Sequence, residues 1–249
     1  MKTNIKFLIG FLPAVALAQP TIKHAEDFTI GTVLKFMKCK SDNVEAGKEG
    51  AKQIWDFSKL ETLKDTMTEW MVDPAKTPQG DIFPNSNLAE KYSDGKYVYL
   101  DNKEKQSFLV GFVDERSKIF IKYTDAVLIA QRPLTFGTKI TDKYSEEFTV
   151  NNMDFVGAGT ATLIADAYGT LILPNGKYTN VLRVKITQSQ KDTLVQYNSI
   201  STTISTSYIW FDETHTSALF KIDVTDAGIY KSKEVEYLVS EVKGNSNLK

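Results

Sequence analysis

Alternation of apolar and polar side chains, repeated along most of the chain, is the feature that most constrains its fold. In "NVLRVKIT", Leu182, Val184 and Ile186 recur at every second position, with Arg183 and Lys185 between them. Successive side chains of an extended strand point to opposite faces, so this pattern predicts a strand with one apolar and one solvated face. Such a difference between the two faces is typical of antiparallel sheets.

The segment "NSISTTISTSYIW" gives the clearest strand pattern in the chain. Its even positions, from Ile200 to Trp210, are mostly apolar, and its odd positions carry the hydroxyl residues Ser201, Thr203, Ser205 and Ser207. We interpret the hydroxyl row as a solvated face of a strand with high β propensity. A row of hydroxyl groups that binds a ligand is the alternative.

Turn residues separate these strands as hairpins require. The sequence "LPNG" predicts a tight reversal at Pro174, Asn175 and Gly176, and "DAYGT" predicts another around Gly169. We therefore expect one all-β, antiparallel domain over residues 19–249, with about ten to fourteen strands. Alternation fits a β-sandwich and an open or half β-barrel equally well, so it does not choose between them.

Two segments between the strands need separate interpretation. In residues 60–72, Leu60, Leu63, Met67 and Met71 have helical spacing, whereas the threonines at 62, 66 and 68 disfavour a helix. The following stretch, from Pro74 to Asn87, is rich in turn residues and is interpreted as a long surface loop.

The N-terminus has the features of an export signal. Lys2 and Lys6 precede an apolar run from Phe7 to Ala18 that ends in the small-x-small sequence Ala16-Leu17-Ala18. As a helix this run would be about 18 Å long, which is too short for a hydrocarbon core of about 30 Å. We expect residues 1–18 to be a cleaved signal peptide and the mature chain to contain no transmembrane segment. The protein is then periplasmic, associated with an outer membrane, or extracellular.

Composition excludes several classes of function. Cys39 is the only cysteine, so the chain cannot form an internal disulfide, and its apolar surroundings predict a buried thiol. The formal net charge is −1 for the whole chain and −3 without Lys2 and Lys6. Because the remaining lysines are interspersed with acidic residues, nucleic acid is not an expected partner.

The sequence contains no recognisable catalytic or metal-binding motif. There is no GxSxG elbow, P-loop, GxGxxG, CxxC, HExxH or EF-hand loop, so we expect no metal and no cofactor, and we can name no catalytic residue. The polar cluster Asp212, Glu213 and His215 in "FDETHTSA" is a candidate for cation binding or proton transfer, and a polar turn explains it equally well.

Aromatic residues are the better candidates for ligand contact. Trp55 and Trp210 occupy strand positions and are predicted to lie in the core. Tyr92, Tyr97 and Tyr99 flank the turn at Asp94 and Gly95, and we expect them to be partly exposed and to contact a ligand.

Four segments resemble a known but functionally unassigned module. "IWDFSKL", "VDPAKTPQGDIFPNSNLA", "ADAYGTLILPNGKYTNVLRVK" and "SYIWFDETHTSALFKIDV" are similar to motifs in the β-rich N-terminal module of secreted Bacteroidota-type proteins, which often end in a type IX sorting domain. The resemblance implies a secreted β-rich module and a strand over residues 63–72, where relatives are rich in threonine and valine. The C-terminal "LVSEVKGNSNLK" does not resemble a sorting domain.

Three functions follow from these observations. The leading one is a secreted, non-catalytic module that binds a glycan or a protein at a surface or in a matrix. The second is a carrier that holds an apolar ligand inside a curved sheet, as lipocalin-like and lipoprotein-carrier-like proteins do. The third is a hydrolase whose two carboxylates come from distant strands and are not identifiable from sequence. An enclosed apolar cavity would favour the carrier.

Overall fold

The protein is described by a computed structural model that covers residues 19–228 and 230–244. The predicted signal peptide, residues 1–18, lies outside the described residues. Strands are the dominant secondary structure of the described chain, as the alternation predicted, but their number, fifteen, exceeds the expected ten to fourteen. They are β1 (Thr21–Ile22), β2 (Val33–Cys39), β3 (Gly50–Asp56), β4 (Thr62–Val72), β5 (Leu88–Tyr92), β6 (Lys96–Asn102), β7 (Gln106–Asp114), β8 (Ile119–Gln131), β9 (Leu134–Thr135), β10 (Lys139–Val150), β11 (Met153–Leu173), β12 (Gly176–Leu194), β13 (Ser199–Phe211), β14 (Phe220–Asp226) and β15 (Lys231–Val242).

Helical structure in the described residues is limited to two 3₁₀ turns, at Pro74–Lys76 and Gly80–Ile82. Across residues 19–228 and 230–244, no helix has the length and apolar character needed to cross a lipid bilayer.

Twelve of the strands form a closed antiparallel barrel. Strands β4, β5, β6, β7, β8, β10, β11, β12, β13, β14 and β15 pair in chain order, and β2 lies between β15 and β4. The expectation of a sandwich or half-barrel is therefore wrong in detail, although the all-β antiparallel class is confirmed. Alternation reports which side chains share a face of a sheet, but not whether its first and last strands meet, so it could not reveal closure.

The two predicted reversals in strands β11 and β12 have different outcomes. Pro174 and Asn175 form the tight turn between β11 and β12, as predicted. Gly169 is not a reversal, because β11 continues through it with irregular pairing on both sides. The parallel strand β3 runs alongside at this point, and a Cβ at Gly169 would overlap the backbone of Gln53. This glycine therefore permits close approach of a neighbouring backbone.

Residues 62–72 form strand β4, which confirms the strand and excludes the helix. The side chains of Met67, Glu69 and Met71 share one buried face of that strand. The following loop lies over the outside of the barrel, and its Phe83 is 3% exposed. A Cβ at Gly111 would overlap the Phe83 ring, so glycine on β7 gives this aromatic side chain its space.

The N-terminal segment, residues 20–32, crosses one end of the barrel. The carbonyl oxygen of Ala25 accepts a hydrogen bond of 2.9 Å from Arg132, and that of Phe28 accepts one of 3.1 Å from Asn102. Ile22 is 1% exposed and packs with side chains of β11, β12 and β13. These contacts join strand ends from around the ring, so the segment closes that end of the lumen.

A second covering layer lies on the outside of β11 to β15. Strand β3 and the residues before it bring Trp55 against Trp210, with ring centroids 5.8 Å apart, and both tryptophans are buried as predicted. Cys39 is also buried as predicted, and burial raises the pKa of its thiol to about 11.

Arg183 corrects the expectation that the second face of β12 is solvated. It is 1% exposed, donates hydrogen bonds of 2.8 and 2.9 Å to the two carboxylate oxygens of Asp166, and donates to the carbonyl oxygens of Ala46 and Gly47. The guanidinium also lies 5.7 Å from the ring centroid of Trp55. The covering layer buries Arg183 and supplies two carbonyl acceptors, and the neighbouring strand β11 supplies its counter-ion Asp166.

Replacement of Asp166 by Ala should destabilise the protein strongly, because it leaves the Arg183 guanidinium buried without its counter-ion. We expect the free energy of unfolding to fall by about 3–5 kcal/mol, measured by equilibrium unfolding in urea. The control is Glu61→Ala, which removes an exposed ion pair with Lys40 and should change stability little. An equally small effect for Asp166→Ala would contradict the proposed importance of the buried pair.

Candidate functional site

A cavity of about 180 Å³ lies inside the barrel beneath the N-terminal segment. Its walls come from strands all around the ring, which places it in the lumen rather than between the barrel and its outer layer. Most of the wall is apolar, and includes Leu34, Ile129, Leu163, Val184, Ile209 and Phe211. These side chains point inward because successive residues of a strand face opposite sides, and each of these residues lies at a position that faces the lumen.

Larger depressions of about 490 and 480 Å³ lie on the outside, near the segment from Lys40 to Glu61 that includes β3. Lysine and acidic side chains form much of their walls, and several of these are highly exposed, such as Glu61 at 71% and Lys40 at 55%. Exposed charges of this kind are well solvated and give little binding energy. The internal cavity is therefore the stronger candidate for a binding site.

A lysine whose side chain is 21% exposed occupies the polar side of the cavity. Lys221 Nζ lies 3.3 Å from Glu236 Oε1, 3.7 Å from Glu69 Oε1 and 4.1 Å from the ring centroid of Phe36. Burial by itself would lower the pKa of Lys221, but the negative charges of Glu69, Glu236 and Glu26 outweigh burial and raise it. Lys221 is therefore a permanent cation in the lumen at physiological pH.

Glu69 and Glu90 face the same cavity from neighbouring strands. Glu69 is 3% exposed, and burial together with the nearby Glu90 and Glu236 raises its pKa to about 7 despite the Lys221 charge. Glu90 accepts a hydrogen bond of 2.8 Å from the Tyr92 hydroxyl, yet burial and the charge of Glu26 raise its pKa to about 7 as well.

Glu26 enters the cavity from the N-terminal segment. Its backbone has φ of 55°, and its N–H donates a 3.0 Å hydrogen bond to the Thr216 carbonyl oxygen, which anchors the segment to the loop between β13 and β14. Its carboxyl group makes no hydrogen bond or ion pair with any residue in the described part of the chain. Burial raises its pKa to about 7, with Lys221 and Arg132 opposing the shift and Glu69 and Glu241 adding to it.

A second pair of carboxyl groups in the lumen consists of Glu146 on β10 and Asp192 on β12. The Gln190 Nε2 group donates to Glu146 Oε1 at 2.6 Å and to Asp192 Oδ1 at 2.9 Å. Burial and the Asp192 charge raise the pKa of Glu146 to about 7. The lumen thus holds two groups of acidic side chains. Glu26, Glu69 and Glu90 border the cavity described above, and Glu146 and Asp192 do not.

The three tyrosines predicted to contact a ligand lie on different faces of the sheet. Tyr92 faces the lumen and borders the cavity. Tyr97 and Tyr99 face outward but are 7% and 0% exposed, so the expectation of partial exposure is wrong for them. The loop from Pro74 to Asn87 covers them, and Phe83 stacks on Tyr99 at a centroid distance of 4.2 Å.

The predicted cluster of Asp212, Glu213 and His215 is only partly assembled. Asp212 Oδ1 accepts hydrogen bonds from the backbone N–H groups of Thr214 and His215, and lies 2.9 Å from His215 Nδ1. These bonds outweigh burial and lower the pKa of Asp212 to about 2, and the Asp212 carboxylate raises the pKa of His215. Glu213 turns away and accepts from the Thr21 N–H at 3.2 Å. The hydrogen bonds of Asp212 are those of a stabilised turn.

Sequence reasoning missed Glu26, Glu69, Glu90 and Lys221. A signal was present at one of these positions, because Glu69 interrupts the apolar row formed by Met67 and Met71. Lys221 gave no signal, since it alternates with Phe220 and Ile222 as a solvated strand residue would. A charge on an otherwise apolar face indicates a buried polar site, but its partners come from strands far apart in sequence.

No cluster of three or more histidine, cysteine or acidic side chains within residues 19–228 and 230–244 has the geometry to hold a metal ion.

Comparison with protein-family models, with curated proteins and with solved structures gives no match for this chain. The similarity to the secreted Bacteroidota-type module therefore remains a hypothesis, and the function has to be argued from the cavity itself.

Replacement of Glu90 by Gln should stabilise the protein above neutral pH. A raised pKa means that the folded state favours the protonated carboxyl group, so ionisation destabilises the fold as pH rises from about 4.5 to about 7. Gln keeps the acceptor for Tyr92 and has no charge. We expect the variant to be more stable than wild type by about 1–3 kcal/mol at pH 8, with a smaller difference at pH 5.

Urea unfolding at both pH values measures this effect. Glu147→Gln, at an exposed position on the same barrel, is the matched control and should follow the wild-type pH dependence. A difference between Glu90→Gln and wild type that is the same at pH 5 and pH 8 would count against the raised pKa.

Proposed function

We propose that the protein binds and carries a small, mainly apolar ligand inside its barrel. The cavity of about 180 Å³ among buried apolar side chains of the lumen is the observation that supports this proposal. Empty apolar cavities of roughly 150 Å³ bind molecules such as benzene, because the ligand restores contacts that the cavity walls lack. A well-packed core without function has few voids of this size.

The size of the cavity limits the ligand. Pockets for drug-sized molecules have volumes of roughly 300–1,000 Å³, so this cavity suits a single ring or a short branched chain. Larger barrels commonly enclose ligand cavities, which is consistent with a carrier. Glycan or protein binding at a surface, the leading expectation from the sequence, had Tyr92, Tyr97 and Tyr99 as its candidate ligand contacts, and Tyr97 and Tyr99 are covered by a loop.

The proposed compartment follows from the N-terminal sequence. Lys2 and Lys6 followed by the apolar run to Ala18 support export of the carrier, so we place it in the periplasm, at an outer membrane, or outside the cell.

Benzene tests the cavity directly. It should raise the melting temperature of the wild-type protein in a concentration-dependent manner, because a ligand that binds only the folded state stabilises it. Ala130→Leu, which fills the cavity from β8, should remove this increase. Ala25→Leu fills it from the N-terminal segment and provides a second, independent variant.

Ala158→Leu adds the same side chain at an exposed position of β11 and is the matched control, which should respond to benzene as wild type does. Circular dichroism establishes that each variant is folded. An absence of any benzene effect on the wild-type protein, or the same effect in folded Ala130→Leu and Ala25→Leu, would exclude binding in this cavity.

A further inference from the structure

We infer that the ligand of this cavity carries a protonated amine, which lies among Glu26, Glu69 and Glu90 while its apolar part contacts the opposite wall. The inference rests on the proposed function and specifies the chemical class of the ligand. It follows from the charges around the cavity, from the carboxyl group of Glu26, which has no partner among the described residues, and from the strand order. The acidic lining comes from the N-terminal segment, β4 and β5, and most of the apolar lining comes from β8, β11, β12 and β13.

The charges in and around the cavity are unbalanced. Lys221 is the one ammonium group among the cavity-lining residues, and it already has Glu69 and Glu236 within 4 Å. Glu90 has only the neutral Tyr92 hydroxyl as a partner, and Glu26 has none among the described residues. Two carboxyl groups therefore face the cavity without a counter-ion in contact.

Neighbouring charged groups do not supply the missing counter-ion. The Arg132 guanidinium acts on Glu26 at longer range, but it donates its hydrogen bonds to Ser107, Asn102 and backbone carbonyl oxygens. Glu241 accepts from the N–H groups of Thr216 and Ser217, and Asp223, on the lumen side of β14, adds a further negative charge near Lys221. Lys243 Nζ lies 3.8 Å from Glu241 Oε1 and offsets that charge, so Asp223 is the neighbouring carboxyl group that makes the cavity more favourable for a cation.

Charge also decides against an anionic ligand. A carboxylate bound to Lys221 would join Glu69, Glu236, Glu26 and Glu90 around a single ammonium group, and each like charge in a buried site raises the free energy. An ammonium ligand has the opposite effect. It forms charge-assisted hydrogen bonds to carboxyl groups that are otherwise unpaired, and it stabilises their ionised forms.

Proton linkage follows from this arrangement. The carboxyl groups of Glu26, Glu69 and Glu90 titrate near neutral pH, and the bound ammonium group favours their ionised state. Binding of an amine at pH 7 should therefore release protons, and its affinity should rise as the pH rises from 6 to 8. A neutral ligand has no such preference for the ionised carboxyl groups and should not gain affinity over this range.

Three probes of similar shape test the inference: benzylamine, toluene and benzoate. Isothermal titration of the wild-type protein at pH 8 should show that benzylamine binds at least about 10-fold more tightly than toluene, as expected for hydrogen bonds to charged groups. Benzoate should bind more weakly than either. In Glu26→Gln/Glu90→Gln, the preference for benzylamine should disappear while toluene still binds.

Glu147→Gln, with its substitution on the exposed face of β10, is the matched control and should keep the preference for benzylamine. Titration of benzylamine at pH 7 in buffers of different ionisation enthalpy measures the released protons. If toluene binds and benzylamine binds no better, or if benzoate binds most tightly, the amine inference is wrong and the proposed carrier function stands. If none of the three probes binds, the proposed function itself is wrong.

Discussion

Antiparallel pairing of β2 with β15 closes the barrel, and the remaining structure depends on that closure. It aligns Val33 with Val242 at one end and Cys39 with Val235 at the other. Most other neighbouring strands in the ring follow one another in the chain, whereas β2 is near its beginning and β15 near its end. Their pairing therefore joins the residues with the longest sequence separation in the sheet. Its formation leaves the ring without an unpaired edge, which removes a surface that would otherwise pair with other chains.

A closed barrel of twelve strands has an interior that is too wide for the inward-facing side chains of its own strands to fill. Side chains alone fill the interior of a barrel of about eight strands, and wider barrels leave internal space. Here the N-terminal segment covers one end, with Ile22 and Ala25 packed against the inner walls, and the cavity remains beneath it. The cavity is thus a consequence of barrel width, and the N-terminal segment limits its size.

Charged side chains have different partners on the outer and inner faces of the barrel. On the outside, Arg183 has Asp166 as counter-ion and backbone carbonyl oxygens for its other hydrogen bonds. In the lumen, Glu26 and Glu90 have no counter-ion in contact among the described residues, and burial opposes their ionisation. Unmatched buried carboxyl groups lower stability at neutral pH, and groups of this kind are concentrated at functional sites. This contrast supports the proposal that a ligand binds in the lumen, and it indicates a structural role for Arg183.

The sequence by itself determined the parts of the structure that depend on neighbouring residues. Alternation in "NVLRVKIT" and the turn at Pro174 and Asn175 gave the β-class and one hairpin, because side-chain direction and turn geometry are local properties. The sequence also placed Trp55 and Trp210 in the core. It did not reveal that Arg183 is buried or that Tyr97 and Tyr99 are covered, because the covering segments come from elsewhere in the chain.

Only the tertiary structure decided the closure of the ring, the cavity and the grouping of Glu26, Glu69, Glu90 and Lys221. These residues come from the N-terminal segment and from strands β4, β5 and β14, and they meet because the ring brings distant strands face to face across the lumen. Alternation assigns each side chain to one face of its strand. Which residues it meets on that face depends on strand order and on barrel width, and these are set by long-range pairing.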